Sequence, residues 1–149
     1  MIREQAGFTL LEMLLSAAII SMLVGASLPI YETFIRRNDL DLTAQRITAM
    51  LRRAETYAQA VNYDNDWSVE IQSSAVTLFQ GTNFVGRNTA YDETLSMPAT
   101  VTPSGTSEVR FTKFTAAPNA AAVTTPITLT STANSTRTII LNAKGMVDY

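Results

Sequence analysis

The chain has 149 residues, 46% of them apolar and 16% charged, and a net charge of −2 from 11 basic and 13 acidic side chains. That length allows one domain with an appendage and excludes a large multidomain enzyme, while the charge balance leaves no electrostatic footprint for nucleic acid. With neither cysteine nor histidine, disulfides, thiolate nucleophiles, zinc sites and a Ser-His-Asp arrangement are excluded within the chain, so any catalysis would rest on carboxylates, tyrosines, Lys113 or Lys144.

The apolar residues are concentrated at the start. Residues 8–31 contain 17 of them, and the 19 residues from Met13 to Tyr31 carry no charge. Read as helix, 24 residues from Phe8 to Tyr31 suffice to cross a bilayer core of about 30 Å. A cleaved secretory signal is the alternative, with Val24-Gly25-Ala26 offering small residues before a cut; an uncleaved anchor is another. Two features disfavour the secretory signal: Arg3 is cancelled by Glu4, and Glu12 sits inside what should be a purely apolar run. Placing a charge at the centre of a membrane helix costs about 2.5–3.5 kcal/mol, so Glu12 asks for a partner. Pro29 removes one backbone hydrogen bond and is expected to kink or loosen the helix, with Gly25 adding slack.

Residues Ala6-Gly7-Phe8-Thr9-Leu10-Leu11-Glu12 resemble the processing signal of type IV pilins and type II secretion pseudopilins. The resemblance implies cleavage between Gly7 and Phe8 by a membrane-embedded prepilin peptidase, N-methylation of Phe8, and a role in assembly for Glu12. It also implies residues 1–7 as a cytoplasmic leader, with the bulk of the chain periplasmic on a single pass of the bacterial inner membrane. Charge counting alone does not orient the segment, because Arg36 and Arg37 follow it as Arg3 precedes it. Independently of any family, a freed amine on Phe8 would be a cation about 6 Å from Glu12 along a helix. Neither charge suits an apolar filament core unless paired, and an axial offset between subunits would let one subunit's Glu12 meet another's Phe8 amine. The apolar helix surfaces would supply most of the adhesion.

Beyond the apolar run, Leu40, Ala44, Ile47, Leu51, Ala54, Ala58 and Val61 fall at alternating spacings of four and three, which predicts one buried face of a helix continuing from Phe8 to about Val61. Arg46, Arg52 and Arg53 lie on other faces and are expected to be solvated. The chain therefore divides into a leader (1–7), a transmembrane and filament-core helix (8–31), an amphipathic continuation (32–62) and a globular β-rich domain (63–149). Within the last, Trp67, Val69 and Ile71 alternate with polar residues and pair across Ser73-Ser74 with Val76 and Leu78 as a hairpin. Residues 81–108 read as loop with a short strand near Tyr91 to Leu95. Val109–Phe114 reads as a strand, Thr115–Pro126 as a surface loop, Ile127–Thr132 and Arg137–Asn142 as a second hairpin across Ala133-Asn134-Ser135, and Lys144-Gly145 as the turn into a short final strand. Between Thr94 and Thr138, 18 of 45 residues are serine or threonine, which suits exposed strands and leaves O-glycosylation open; Asn134-Ser135-Thr136 fits both a sequon and a hairpin turn. One long helix followed by antiparallel strands specifies an α+β domain, the helix laid on an antiparallel sheet in a pilin-like manner.

Three further groups of residues carry polar or aromatic side chains at suggestive spacings. Asp64 and Asp66 could offer oxygens to calcium, although the full loop signature is missing and an ordinary polar turn is the favoured reading. Asp92 and Glu93 are neighbours in a predicted strand and point opposite ways, which disfavours a paired-carboxylate catalyst. Trp67, Tyr57 and Tyr63 read as packing where helix meets sheet. The strand segments Val109-Arg-Phe111, Thr128-Leu-Thr130 and Arg137 to Val147, with Leu51-Arg-Arg-Ala-Glu-Thr-Tyr-Ala58, resemble the H-type minor pseudopilin and FimT family. The chain differs from a common major pilin in lacking the C-terminal cysteine pair, and from DNA-binding FimT-like pilins in carrying only Arg137 and Lys144 as basic residues beyond Lys113. The resemblance implies a structural subunit at or near a filament tip, not an enzyme, with no cofactor. Its implied partners are other pilin or pseudopilin subunits, the prepilin peptidase, an inner-membrane assembly platform and, before assembly, the lipid bilayer; nucleic acid is not expected. The alternatives are a major pilin or DNA-uptake minor pilin within the class, and outside it a Sec-exported or membrane-anchored extracytoplasmic binding module.

Overall fold

The computed structural model describes residues 7–148, with residues 26–36 described as helix backbone only. The chain forms two compact units, Met1–Ile35 and Arg36–Tyr149. Helix α1, Leu10–Gln59, runs through both. In the first unit the described apolar side chains from Phe8 to Val24 are exposed. Among the described residues no helix is long and apolar enough to cross a membrane; the last six residues of the span predicted over 8–31, Pro29 among them, lie outside the described side chains.

In the second unit the predicted helix face holds. Leu40, Ala44, Ile47, Leu51, Ala54 and Ala58 are all buried, as the 3.6-residue period requires. Val61 does not continue that face: the helix ends at Gln59 and the chain leaves it through left-handed backbone at Val61, Tyr63 and Asp64, in a single tight turn at Asn62–Asp64.

The strands form two sheets, which corrects the expectation of one. In the first, β1 (Trp67–Ile71), β2 (Ala75–Gln80), β3 (Asn88–Ser96) and β5 (Glu108–Phe111) are antiparallel in the order β3-β2-β1-β5. In the second, β4 (Val101–Gly105), β6 (Ile127–Ser131), β7 (Thr136–Leu141) and β8 (Val147–Asp148) follow the order β4-β6-β7-β8. Two elements were not expected. Strand β4 lies inside the stretch read as loop, and α2 (Ala120–Thr124) lies inside the second one. Pro103 disguises β4, yet it is tolerated because β4 is an edge strand with only β6 beside it. Gly105 closes that strand at φ +91°, where a Cβ would stand 2.0 Å from the Pro126 carbonyl oxygen, so no other residue fits there without moving backbone.

The core is one cluster that joins the α1 face to Trp67, Val69, Ile71, Val76 and Leu78 of the first sheet and Ile127, Leu129, Ile139 and Leu141 of the second. Phe79 is fully buried but lies outside that cluster. It is covered by the loop after β2: Phe84 packs edge-on against it at 5.6 Å, Arg87 stacks 3.7 Å from the Phe84 ring centre, and Arg87 Nε donates to Asp92 Oδ2 at 2.8 Å. Both faces of β1 and β2 are therefore covered, and their burial is nearly continuous instead of alternating.

Candidate processing and assembly site

Gly7, Phe8 and Thr9 are non-helical, and the helix begins at Leu10. Thr9 sets that boundary. Its side-chain Oγ1 accepts the Glu12 amide N–H at 3.3 Å, and its carbonyl accepts the amides of Glu12 and Met13 at 3.1 and 3.2 Å. These are the bonds of an N-cap residue, which satisfies helix amides that lack an intrahelical acceptor. Thr9-Leu10-Leu11-Glu12 is also the Thr-x-x-Glu pattern that marks a helix start ahead of an apolar run, a signal available in the sequence beside the processing motif. The acidic Glu12 in the first turn complements the positive end of the helix dipole.

The junction is open. Phe8 is 77% exposed, and a Cβ placed on Gly7 would meet nothing within 4 Å. Crowding within the chain therefore does not require glycine there. The peptide between Gly7 and Phe8 lies ahead of the first helical residue, Leu10, outside the hydrogen-bonded helix. Glu12 is exposed one turn into the helix.

The other candidates lie in the second unit. Asp64 and Asp66 each bond Lys113, through different groups: Lys113 Nζ donates to Asp64 Oδ1 at 3.1 Å, and the Lys113 amide donates to Asp66 Oδ1 at 2.9 Å. Arg110 Nε stands 4.0 Å from Asp66 Oδ2. The pair thus ties the helix exit to the end of β5, and no group of three or more acidic side chains able to hold a metal occurs among the described residues. Asp92 and Glu93 separate as strand geometry dictates, Asp92 to Arg87 and Glu93 to Arg53 of α1. The Arg46, Arg52 and Arg53 face is exposed but more than solvated, because Arg53 pairs with Glu93 of β3 and Arg52 donates to the Val147 carbonyl of β8 at 3.3 Å. These two arginines fasten the helix to both sheets.

Trp67 is buried with its ring centre 4.7 Å from Tyr57, and its indole N–H donates to the Asn62 carbonyl at 3.1 Å. Tyr63 is less buried than expected; it is exposed and stacks on Tyr91 at 4.4 Å. Two carboxyls are pushed up from their ordinary range. Glu55 is raised by burial, partly offset by Arg52. Glu70 is raised by burial and then by Glu108, its directly opposed cross-strand neighbour, with a hydrogen bond from Gln72 acting against the shift. Asn134 sits in left-handed backbone between β6 and β7, a conformation asparagine tolerates.

Residues 2–28 match the family model of the prokaryotic N-terminal methylation motif. No curated protein and no solved structure matches the chain. The motif supports a likeness to type IV pilins and pseudopilins at this end of the chain, and it indicates processing by a prepilin peptidase and a methylated amino terminus. The same motif implies assembly with other pilins.

Proposed function

We propose that the chain is a minor pilin or pseudopilin, a structural filament subunit and not an enzyme. It is delivered to the inner membrane with residues 1–7 cytoplasmic, cut between Gly7 and Phe8, methylated on Phe8, and assembled at or near the tip of a type II secretion pseudopilus or type IV pilus. The observation that carries this reading is the composite start of the chain: a matched methylation motif over residues 2–28, a non-helical Gly7-Phe8 peptide, and an apolar helix capped by Thr9 with Glu12 in its first turn. The reading of 8–31 as a membrane helix is supported by the length and apolarity of that segment in the sequence.

Assembly uses the charge left by processing. The new amine on Phe8 and the Glu12 carboxylate are costly in an apolar filament core unless paired, and pairing between neighbouring subunits fixes their axial offset. The assignment to the H-type and FimT-like group is supported by the positions of β5, β6, β7 and β8, which coincide with the segments that resemble that group. Calcium has no part in this reading; Asp64 accepts from the Lys113 ammonium and Asp66 from the Lys113 amide.

The test is Glu12→Ala. The variant should still be cut by the peptidase and keep its folded second unit, yet fail to enter filaments in sheared-filament preparations. Unimpaired incorporation would refute the assembly role and favour an exported or anchored binding module.

A further inference from the structure

The second unit carries a cationic cavity that neither processing nor assembly uses. It has a volume of about 370 Å³ and is lined by Arg37 and Leu40 of α1 and by Ser135, Thr136 and Arg137 of the β6–β7 turn. Arg137 is held in place: its Nε donates to Asp41 Oδ1 at 2.7 Å and its Nη1 to the Thr136 carbonyl at 3.1 Å. That leaves the remaining terminal nitrogen of the planar fork to donate elsewhere. Arg37 precedes Asp41 by four residues, which puts both on one helix face, and among the described residues Arg37 has no acidic partner. Asp39 is turned away, accepting from the Thr100 hydroxyl at 3.2 Å. The hydroxyls of Ser135 and Thr136 make no hydrogen bond among the described residues and complete a set of donors.

We propose that this cavity binds the phosphodiester of a lipid headgroup. Two guanidiniums and one carboxylate leave a charge of about +1, which complements the single negative charge of a phosphodiester better than the near-double charge of inorganic phosphate. Guanidinium N–H groups and hydroxyls suit phosphate oxygens. The chain also restricts where the cavity can lie. Arg37 follows the apolar run by six residues, a separation of about 9 Å as helix and at most about 20 Å extended, within reach of the headgroup layer. Arginine side chains near a membrane helix end extend their charged tips to that layer. The assignment rests on the proposed membrane anchoring of residues 8–31.

The experiment uses the full chain in nonionic detergent micelles, with the arginine Nε resonances of Arg37 and Arg137 followed by NMR. Dihexanoyl phosphatidylglycerol should shift both saturably, whereas dihexanoyl glycerol, which lacks the phosphate, should not. Arg37→Gln should weaken the phosphatidylglycerol response at least about tenfold, and Arg137→Lys, which keeps the charge but loses the planar group that holds Asp41 while donating into the cavity, should weaken it as well. Arg46→Gln, an exposed arginine on the same helix outside the cavity, should leave it unchanged, and Trp67 fluorescence verifies that each variant is folded. An unchanged response in Arg37→Gln overturns the site. Inorganic phosphate binding as tightly as phosphatidylglycerol overturns the lipid assignment and leaves a free-anion site. Vesicle flotation of the unmodified chain with phosphatidylethanolamine and phosphatidylglycerol tests the premise separately: a chain that stays behind overturns the anchoring, and the lipid assignment with it.

Discussion

Replacing Leu51 by alanine tests whether the second half of α1 lies on the sheets in the register described. Leu51 is fully buried on the helix face that contacts both sheets. Removing about three carbons' worth of buried surface costs about 2.4 kcal/mol at ~0.8 kcal/mol per methylene. The cavity left behind raises the total to about 3 kcal/mol, within the range of about 2–5 for such truncations. For a unit of this size that corresponds to a fall in Tm of roughly 10 °C. The comparison is Leu42→Ala, whose side chain is 39% exposed on another face of the same helix and whose loss should cost no more than about 0.5 kcal/mol. Urea unfolding of the full chain in detergent micelles, followed by the fluorescence of Trp67, the one tryptophan, reads both variants against the parent. Equal losses from Leu42→Ala and Leu51→Ala, or a larger loss from Leu42→Ala, would refute the register and the core built on it.

Gly105→Ala should destabilise by about 2 kcal/mol or more, because it adds left-handed backbone strain to a Cβ only 2.0 Å from the Pro126 carbonyl oxygen; a wild-type urea midpoint would contradict the β4–β6 pairing. Glu70 has a folded-state pKa raised by burial and by Glu108, so the folded chain holds that proton more tightly than the unfolded chain. The stability linked to it is present below the ordinary carboxyl pKa and is lost as pH rises through the raised one. Glu70→Gln should therefore flatten the loss of stability on going from pH 4 to pH 7, by less than about 1 kcal/mol given the side chain's solvent screening; an unchanged pH profile in urea melts would contradict it.

Different parts of the molecule were unequally legible in the sequence. The α1 face could be read from the spacing of Leu40 to Ala58, since local periodicity reports burial when one partner surface covers one face. The hairpin of β1 and β2 could be read as well, although Phe79 and Ser68 are buried where alternation would expose them, because the Phe84 loop covers the second face. Strand β4 was hidden by Pro103 and Gly105, whose edge position and close approach to Pro126 only the fold supplies. The split into two sheets depends on which strands pair, information that no single strand carries. At the processing site, Thr9 was readable from its three-residue spacing to Glu12. The use of Asp64 and Asp66 was not, because Lys113 lies 49 and 47 residues away in the chain.

The most direct measurement of the central claim is the intact mass and amino-terminal sequence of the full chain expressed with and without a prepilin peptidase. The expected result is a peptidase-dependent start at Phe8 carrying one added methyl group, and an uncut chain when Gly7 is replaced by a bulky residue. A start at Ser27, or an unprocessed Met1 in the presence of active peptidase, would contradict it.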